Sequence, residues 1–194
     1  MLLLAVTACT QDGGDDEAGA EVPLESATRI CDGTLSASAA EDLEALTEET
    51  EFRESRIPSV ARADLEEFVG VLRASTSGYE NFCYIYRPYD ELDFATLAFG
   101  WRDSAPAEFE PEPDQMIFRT GEFAYTSGTT TNIFFSCPVG NAQGGVVSAR
   151  LYDRSLRAGA PQVSILNSVS RAVADGLGCL EEAGLAEGRP ERVG

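Results

Sequence analysis

The chain has 194 residues, 43% of them hydrophobic, which is enough for one domain with a core of ordinary size. It carries 33 acidic and 14 basic residues, and every basic residue is an arginine because lysine and histidine are absent. The formal net charge of −19 argues against nucleic acid as a partner and predicts repulsion from anionic lipid surfaces.

The amino-terminal apolar run ends at a cysteine in the pattern of a bacterial lipobox. Residues 2–6 are apolar, and Val6-Thr7-Ala8-Cys9 places an aliphatic residue and two small residues before the thiol. The small residues let an extended chain enter a peptidase, and the Cys9 thiol is the nucleophile that takes up the diacylglyceryl group. We therefore predict a signal-peptide remnant at 1–8 and a lipidated, palmitate-bearing Cys9. The alternative is an incidental apolar terminus with a free thiol, since the run is shorter than the roughly 7–15 residues of a usual signal peptide.

An acidic, weakly hydrophobic segment follows the lipobox. Residues 10–25 contain six acids and no base, which is a composition typical of disorder. The segment lacks the Asp-x-Asp-x-Asp-Gly spacing of a calcium loop, so we predict no metal site there. We expect residues 9–27 to be a lipidated, flexible tether, and residues 28–183 to form a single globular domain.

Two helices are predicted at the start of this domain. In residues 37–49, Ser38 and Glu41 match a capping box, and Leu43 shares a face with Leu46. In the second helix Ser59 can serve as the cap. Its apolar residues follow the i, i+3, i+4, i+7 spacing of an amphipathic helix: Leu65, Phe68, Val69 and Leu72.

About six strands follow without helices between them. They are rich in aromatic and β-branched residues and lie at 83–87, 93–101, 116–120, 122–126, 131–137 and 145–152. Residues 104–115 contain three prolines and are predicted to be a loop, and 126–129 is predicted to be a hairpin turn. The glycine-rich residues 140–145 lack the strand-to-helix context of a phosphate loop, so a turn is expected there as well.

The chain closes with a third predicted helix, within residues 160–180. Its apolar residues repeat every fourth position: Ile165, Val169, Val173 and Leu177. Residues 184–194 are polar and are predicted to be a flexible tail. Helices, then a run of strands, then a helix indicate an α+β domain with an antiparallel sheet covered by helices.

The five cysteines indicate two disulfides and one modified residue. With Cys9 assigned to lipid, four remain with spacings of 52, 54 and 42: Cys31, Cys83, Cys137 and Cys179. No pair has the Cys-x-x-Cys spacing of a metal or redox motif, so two structural disulfides in an oxidising, extracytoplasmic compartment are expected. Of the three possible pairings we favour Cys31 with Cys83 and Cys137 with Cys179. Four reduced, buried thiols remain the alternative.

The residue types exclude most catalytic machinery. Without histidine there is no Ser-His-Asp triad, Cys-His dyad or His-ligated zinc, and without lysine there is no Walker or Schiff-base lysine. A carboxylate pair or an oxygen-only metal site would still be possible. The acids closest to aromatic residues are Glu91, Asp93 and Asp103, the last of these beside Trp101, but we expect sheet-edge charges and a core tryptophan. No enzyme activity and no cofactor are predicted.

Four arginines lie at predicted strand ends or loops, where they could meet an anionic ligand or pair with the surplus acids: Arg87, Arg102, Arg150 and Arg154. Pairing with acids is the expectation. We therefore expect a cell-envelope lipoprotein that is held in the membrane through Cys9 and binds an unknown protein or envelope ligand. An envelope hydrolase with paired carboxylates is the alternative.

The stretch ICDGTLSASAAEDLEAL, which begins at Ile30, resembles the start of the mature domain in secreted actinobacterial lipoproteins of unknown function. There a Cys-x-Gly-Thr-Leu-Ser opening leads into a helix rich in alanine and leucine. The resemblance extends from Ile30 to about Phe52 and implies an envelope lipoprotein without a known activity. The order of elements is also similar to the helix-flanked sheets of Mog1/PsbP-like folds, which is an analogy of architecture only.

Overall fold

The computed structural model describes residues 22–55, 62–76, 78–106, 114–139, 145–155 and 159–193. Its helices are α1 (Ala37–Thr47), α2 (Leu65–Ala74) and α3 (Ala160–Leu177). Its strands are β1 (Glu25–Ser26), β2 (Glu51–Phe52), β3 (Glu80–Ile85), β4 (Ala95–Arg102), β5 (Met116–Arg119), β6 (Phe123–Ser127), β7 (Thr130–Ser136), β8 (Val146–Asp153) and β9 (Glu191–Arg192).

Seven of these strands form one antiparallel sheet in the order β3-β4-β8-β7-β6-β5-β9, and β1 pairs with β2 in a separate two-stranded sheet. The predicted α+β class with an antiparallel sheet is therefore confirmed, with seven strands in the main sheet instead of about six. Strand β8, the last of the predicted strands along the chain, lies in the interior of the sheet between β4 and β7.

The helices begin at caps that differ from the predicted ones. Helix α1 is capped by Ser36, whose hydroxyl accepts a hydrogen bond from the amide of Ala39 at 3.3 Å, and not by Ser38. Helix α2 is capped by Asp64, which accepts from the amide of Glu67 at 2.8 Å. The predicted cap Ser59 lies outside the described residues.

The hydrophobic core lies between the helices and one face of the large sheet. Helix α3 packs across β6, β7 and β8, and both α1 and α2 pack against α3. The four apolar residues predicted for the buried face of α3 are all buried: Ile165, Val169, Val173 and Leu177. On β8 they meet the inward-facing set Val147, Ala149 and Leu151. Every residue of the helix from 162 to 170 is buried as well, so this part of the helix is enclosed on all sides.

Two disulfides close the core at separate places. Cys31 is bonded to Cys83 with the Cα atoms 5.4 Å apart, and Cys137 is bonded to Cys179 with the Cα atoms 5.1 Å apart. The first joins the turn before α1 to strand β3, and the second joins the end of β7 to the residue after the α3 cap. This is the pairing favoured from the sequence.

Both ends of the domain extend further than predicted. Strand β1 begins at residue 25 and Ala27 is fully buried, so the folded part starts before residue 28. The segment predicted to be a flexible tail contains the buried Leu185 and strand β9, which pairs with β5. Asn167 on α3 donates to the carbonyl of Ala186 at 2.9 Å. A few specific contacts hold this polar segment on the domain, which composition alone did not reveal.

Candidate functional site

The sheet has a second face, opposite the helices, that carries polar and aromatic side chains. Alternation along each strand puts Ser148, Arg150 and Tyr152 of β8 on this face, because their neighbours point into the core. Tyr125 on β6 and Arg102 on β4 lie on the same side by register. We call this side the open face, since all three described helices pack on the other one.

Tyr79 lies on the open face between two guanidinium groups. The Cζ atom of Arg150 is 4.2 Å from the centroid of the Tyr79 ring, and the Cζ atom of Arg102 is 4.8 Å from it. The phenol oxygen shares a hydrogen bond of 2.8 Å with the hydroxyl of Ser148, which is fully buried. These contacts are cation–π interactions, in which Tyr79 and Arg102 are half-buried and Arg150 is exposed.

A glycine lets Tyr79 cross the sheet. Residue 79 immediately precedes β3, whereas Ser148 belongs to β8, two strands away, with Gly100 of β4 between them. A Cβ atom on Gly100 would lie 2.1 Å from the carbonyl oxygen of Gly78. Because Gly100 has no side chain, residues 78 and 79 can approach the backbone of β4 closely. The Tyr79 ring then lies over the glycine.

The environment of Tyr79 shifts its ionisation. Burial opposes ionisation of the phenol, but the hydrogen bonds with Ser148 and Arg102 and the charges of Arg150 and Arg102 outweigh it and lower the pKa of Tyr79. By contrast, burial raises the pKa of Tyr125 on the same face. The two arginines thus place positive charge beside Tyr79 in a strongly acidic chain.

Two of the four arginines predicted to pair with acids do so. Arg87 forms an ion pair with Asp90 at 2.7 Å, and Arg154 lies 3.8 Å from a carboxylate oxygen of Asp93. The prediction is not confirmed for Arg102 and Arg150. Neither has a carboxylate partner within the described ranges, and both stack on Tyr79 instead.

Arg150 keeps part of its donor set available for a ligand. Its Nε donates to Asn132 Oδ1 at 3.3 Å, and the side chain is otherwise held by the face of the Tyr79 ring. In the described part of the chain the two terminal nitrogens have no hydrogen-bond acceptor. A guanidinium held in this way presents an end-on fork, which is the geometry that binds a carboxylate or a phosphate in a bidentate manner.

A groove of about 170 Å³ runs beside Arg150 on the open face. Ala98 pairs with Arg150 on one side and with Asn81 on the other, so a small side chain lies between two long ones and leaves a depression. The lining residues are Tyr79, Asn81, Thr96, Ala98, Arg150 and Tyr152. The ring of Tyr152 is 43% exposed at one end of the groove.

A second concavity, of about 270 Å³, lies beside α2 and contains Glu54. Cys31, Asp32 and Gly33 all have positive φ angles, and the amide of Cys31 donates to the Glu54 carboxylate, which also accepts from the amide of Ala63 at 3.0 Å. Successive amides in this conformation form an anion-binding concavity, here filled by the protein's own carboxylate. Burial raises the pKa of Glu54, while these amide hydrogen bonds oppose the increase.

Among the described residues, one cluster has the spacing of metal ligands, but its side chains are not available to bind a metal ion. It consists of Cys31, Cys83 and Glu54. The two sulfur atoms are bonded to each other, so neither is a thiolate, and the Glu54 oxygens are engaged by backbone amides.

The acids singled out from the sequence do not form a catalytic cleft. Asp93 accepts a hydrogen bond from Thr96 at 2.7 Å and pairs with Arg154, while Glu91 and Asp103 are exposed. Trp101 is a core residue, as expected. Cys9 and residues 140–144 lie outside the described residues.

Sequence reasoning missed Tyr79 and misjudged Arg150. Tyr79 stands just before a strand, so no periodicity marks the face on which it lies. The one available signal was Gly100 in the interior of an otherwise regular strand, because such a glycine often marks a close backbone approach.

Comparisons of the chain with models of known protein families, with curated proteins and with solved structures found no match. Each helix within the described ranges is too short or too polar to cross a bilayer.

Proposed function

We propose that this chain is a lipid-anchored, non-enzymatic binding protein of the cell envelope, displayed outside the cytoplasmic membrane, and that it binds an anionic ligand on the open face. One observation carries the proposal of binding. In a chain with a net charge of −19, Arg102 and Arg150 flank one tyrosine and have no carboxylate partner among the described residues.

Acids would neutralise these two guanidinium groups easily if the site had only a structural role. The other face of the domain and its loops hold ion pairs, such as those of Arg87 and Arg154. A positive site without an acid partner in the described ranges is a feature expected of anion recognition.

The proposed location is supported by the lipobox at Cys9 and by the two disulfides. Disulfides persist in oxidising compartments outside the cytoplasm and are rare inside it. About 15 residues separate Cys9 from strand β1, and a flexible chain of that length would reach roughly 20 Å.

Photo-cross-linking in the native envelope tests the binding role. A photoreactive amino acid replaces Tyr152 on the open face, and a matched variant carries it in place of Ala45, an exposed residue of α1 on the helix side. We expect an adduct of defined mass from position 152, and none from position 45. Equal labelling from both positions, or none from position 152, would contradict binding on the open face.

The second candidate is an envelope hydrolase that uses the concavity beside α2. Four acids line it, and the pKa of one of them is raised by burial: Glu54, Asp64, Glu67 and Glu80. Three of the four already have structural partners. Glu54 binds backbone amides, Asp64 caps α2, and Glu80 accepts from Ser75 at 2.9 Å.

Hydrolysis of envelope glycans by the purified chain distinguishes the two candidates. The hydrolase hypothesis requires activity that is lost in both Glu54→Gln and Glu67→Gln while the fold is kept. The binding proposal requires no turnover in the wild type.

A further inference from the structure

The groove beside Arg150 has the chemistry of a small, specific subsite. This inference rests on the proposed function and names the class of ligand. We propose that the groove between Tyr79 and Tyr152 binds one anionic pyranose, a sugar ring whose carboxylate or phosphate is held end-on by the guanidinium of Arg150.

The anionic group is assigned from the donors that Arg150 leaves open. Asn132 takes the Nε hydrogen, and the Cζ atom of Arg150 lies over the Tyr79 ring. The remaining fork binds an oxyanion through two parallel hydrogen bonds. Arg102 stacks on the same ring but does not line the groove, so the groove offers one anchoring point for one charged group.

The sugar ring is assigned from the acceptors and the aromatic surface. Thr96 donates its hydroxyl hydrogen to Asp93 at 2.7 Å, and Asn81 donates its amide hydrogen to the phenol of Tyr84 at 2.7 Å. Both residues line the groove, and each keeps an acceptor oxygen to which a ligand hydroxyl can donate. The exposed ring of Tyr152 offers a flat apolar surface for the C–H face of a pyranose.

The size of the groove agrees with a single ring. At about 170 Å³ it is smaller than the roughly 300–1,000 Å³ of pockets that enclose drug-sized ligands. Ala98 contributes the only small side chain of the lining, and the longer side chains of Asn81 and Arg150 rise on either side of it. An acidic peptide would need a longer channel and more than one anchoring cation.

Ligand-observed saturation-transfer NMR on the full chain, as isolated, tests the assignment. The probes are glucuronate and glucose 6-phosphate, which separate a carboxylate from a phosphate source. Neutral glucose is the directly observed control, and inorganic phosphate, which has no carbon-bound protons, is tested as a competitor of the anionic sugars. Because a ligand of this size gains a limited energy per atom, we expect a Kd on the order of 1 mM for at least one anionic sugar. Glucose and inorganic phosphate should bind at least several-fold more weakly.

Arg150→Gln and Arg102→Gln form a matched pair of variants. Both lose a guanidinium that stacks on Tyr79, but only Arg150 lines the groove. We expect Arg150→Gln to weaken binding about tenfold or more, since it removes a charged hydrogen-bonding fork, and Arg102→Gln to retain most of it. The fluorescence of Trp101 reports whether each variant is folded.

Four results of the binding experiments would overturn the assignment. These are no saturation transfer from either anionic sugar, equal binding of glucose, equal binding of inorganic phosphate, and equal loss in the two variants. A chain that fails here but still gives an open-face adduct in the envelope retains the proposed function with another ligand, such as an acidic protein. Self-association through the open face would also overturn the sugar subsite. It would appear in light scattering as a molar mass that rises with protein concentration.

Discussion

Replacement of Gly100 tests how Tyr79 is placed on the open face. In Gly100→Ala the new Cβ atom would lie 2.1 Å from the carbonyl oxygen of Gly78 and 3.5 Å from the Cα atom of Tyr79. The obstacle is backbone, so residues 78 and 79 must move away from β4. This movement would also break the hydrogen bond between Tyr79 and Ser148.

The expected magnitude follows from three contributions. Overpacking against backbone costs about 3 kcal/mol, at the upper end of its usual range. Loss of the hydrogen bond to Ser148 costs about 1 kcal/mol, and alanine in a strand interior gains back about 0.5–1 kcal/mol over glycine. We therefore expect Gly100→Ala to lower the free energy of unfolding by about 3 kcal/mol.

Urea unfolding followed by the fluorescence of Trp101 measures this change. The single tryptophan is buried and its indole nitrogen donates to the carbonyl of Leu72 at 2.7 Å, so its signal reports on the core. The matched control is Gly70→Ala on the exposed side of α2, where a Cβ atom has nothing within 4 Å. It should raise the free energy of unfolding by about 1 kcal/mol. A Gly100→Ala protein as stable as the wild type would refute the close approach over β4.

Three further predictions concern stability. Cys137→Ala with Cys179→Ala opens a loop with a sequence separation of 42, and should lower the free energy of unfolding in urea by about 4 kcal/mol; a change near zero would contradict a closed bridge. Burial raises the pKa of Asp153, so its protonated form contributes stability below the usual pKa of 3.8, and that stability is lost as the pH rises through the raised pKa. Relative to wild type, Asp153→Asn should therefore gain stability from acid to neutral pH, and a constant difference would contradict this. Tyr79→Phe keeps the ring but removes the phenol hydroxyl, which leaves the buried Ser148 hydroxyl without this partner. It should lower the free energy of unfolding by about 1 kcal/mol, whereas Tyr152→Phe at an exposed position should change it by almost nothing.

The sequence predicted the elements that have a long hydrophobic period. In helix α3 the apolar residues from Ile165 to Leu177 repeat over about three turns, and strands such as β4 and β8 are long enough for alternation to be read. Strands β1, β2 and β9 have two residues each, too few to show a period of two. Their existence depends on pairing partners that are distant in sequence.

The candidate site could not be predicted because it depends on sheet register. Arg150 meets Ala98 and Asn132 only through the pairing of β8 with β4 and β7. Tyr79 reaches Ser148 only because β3 lies next to β4 at the edge of the same sheet. The excess of acids in the composition suggested that the four arginines at predicted strand ends or loops would be paired. The charge balance of the whole chain, however, does not determine which groups meet on one face of a sheet.

The anchoring of the domain outside the cytoplasm is tested most directly by the intact mass of the protein purified from the membrane fraction of its native host. The mass is measured before and after reduction and thiol alkylation, with a Cys9→Ser variant as the control. The account predicts a chain that begins at a lipidated Cys9 and gains four alkyl groups only after reduction, and a variant that leaves the membrane fraction. A chain that keeps Met1, carries no lipid and is alkylated without reduction would contradict the proposed anchor and compartment.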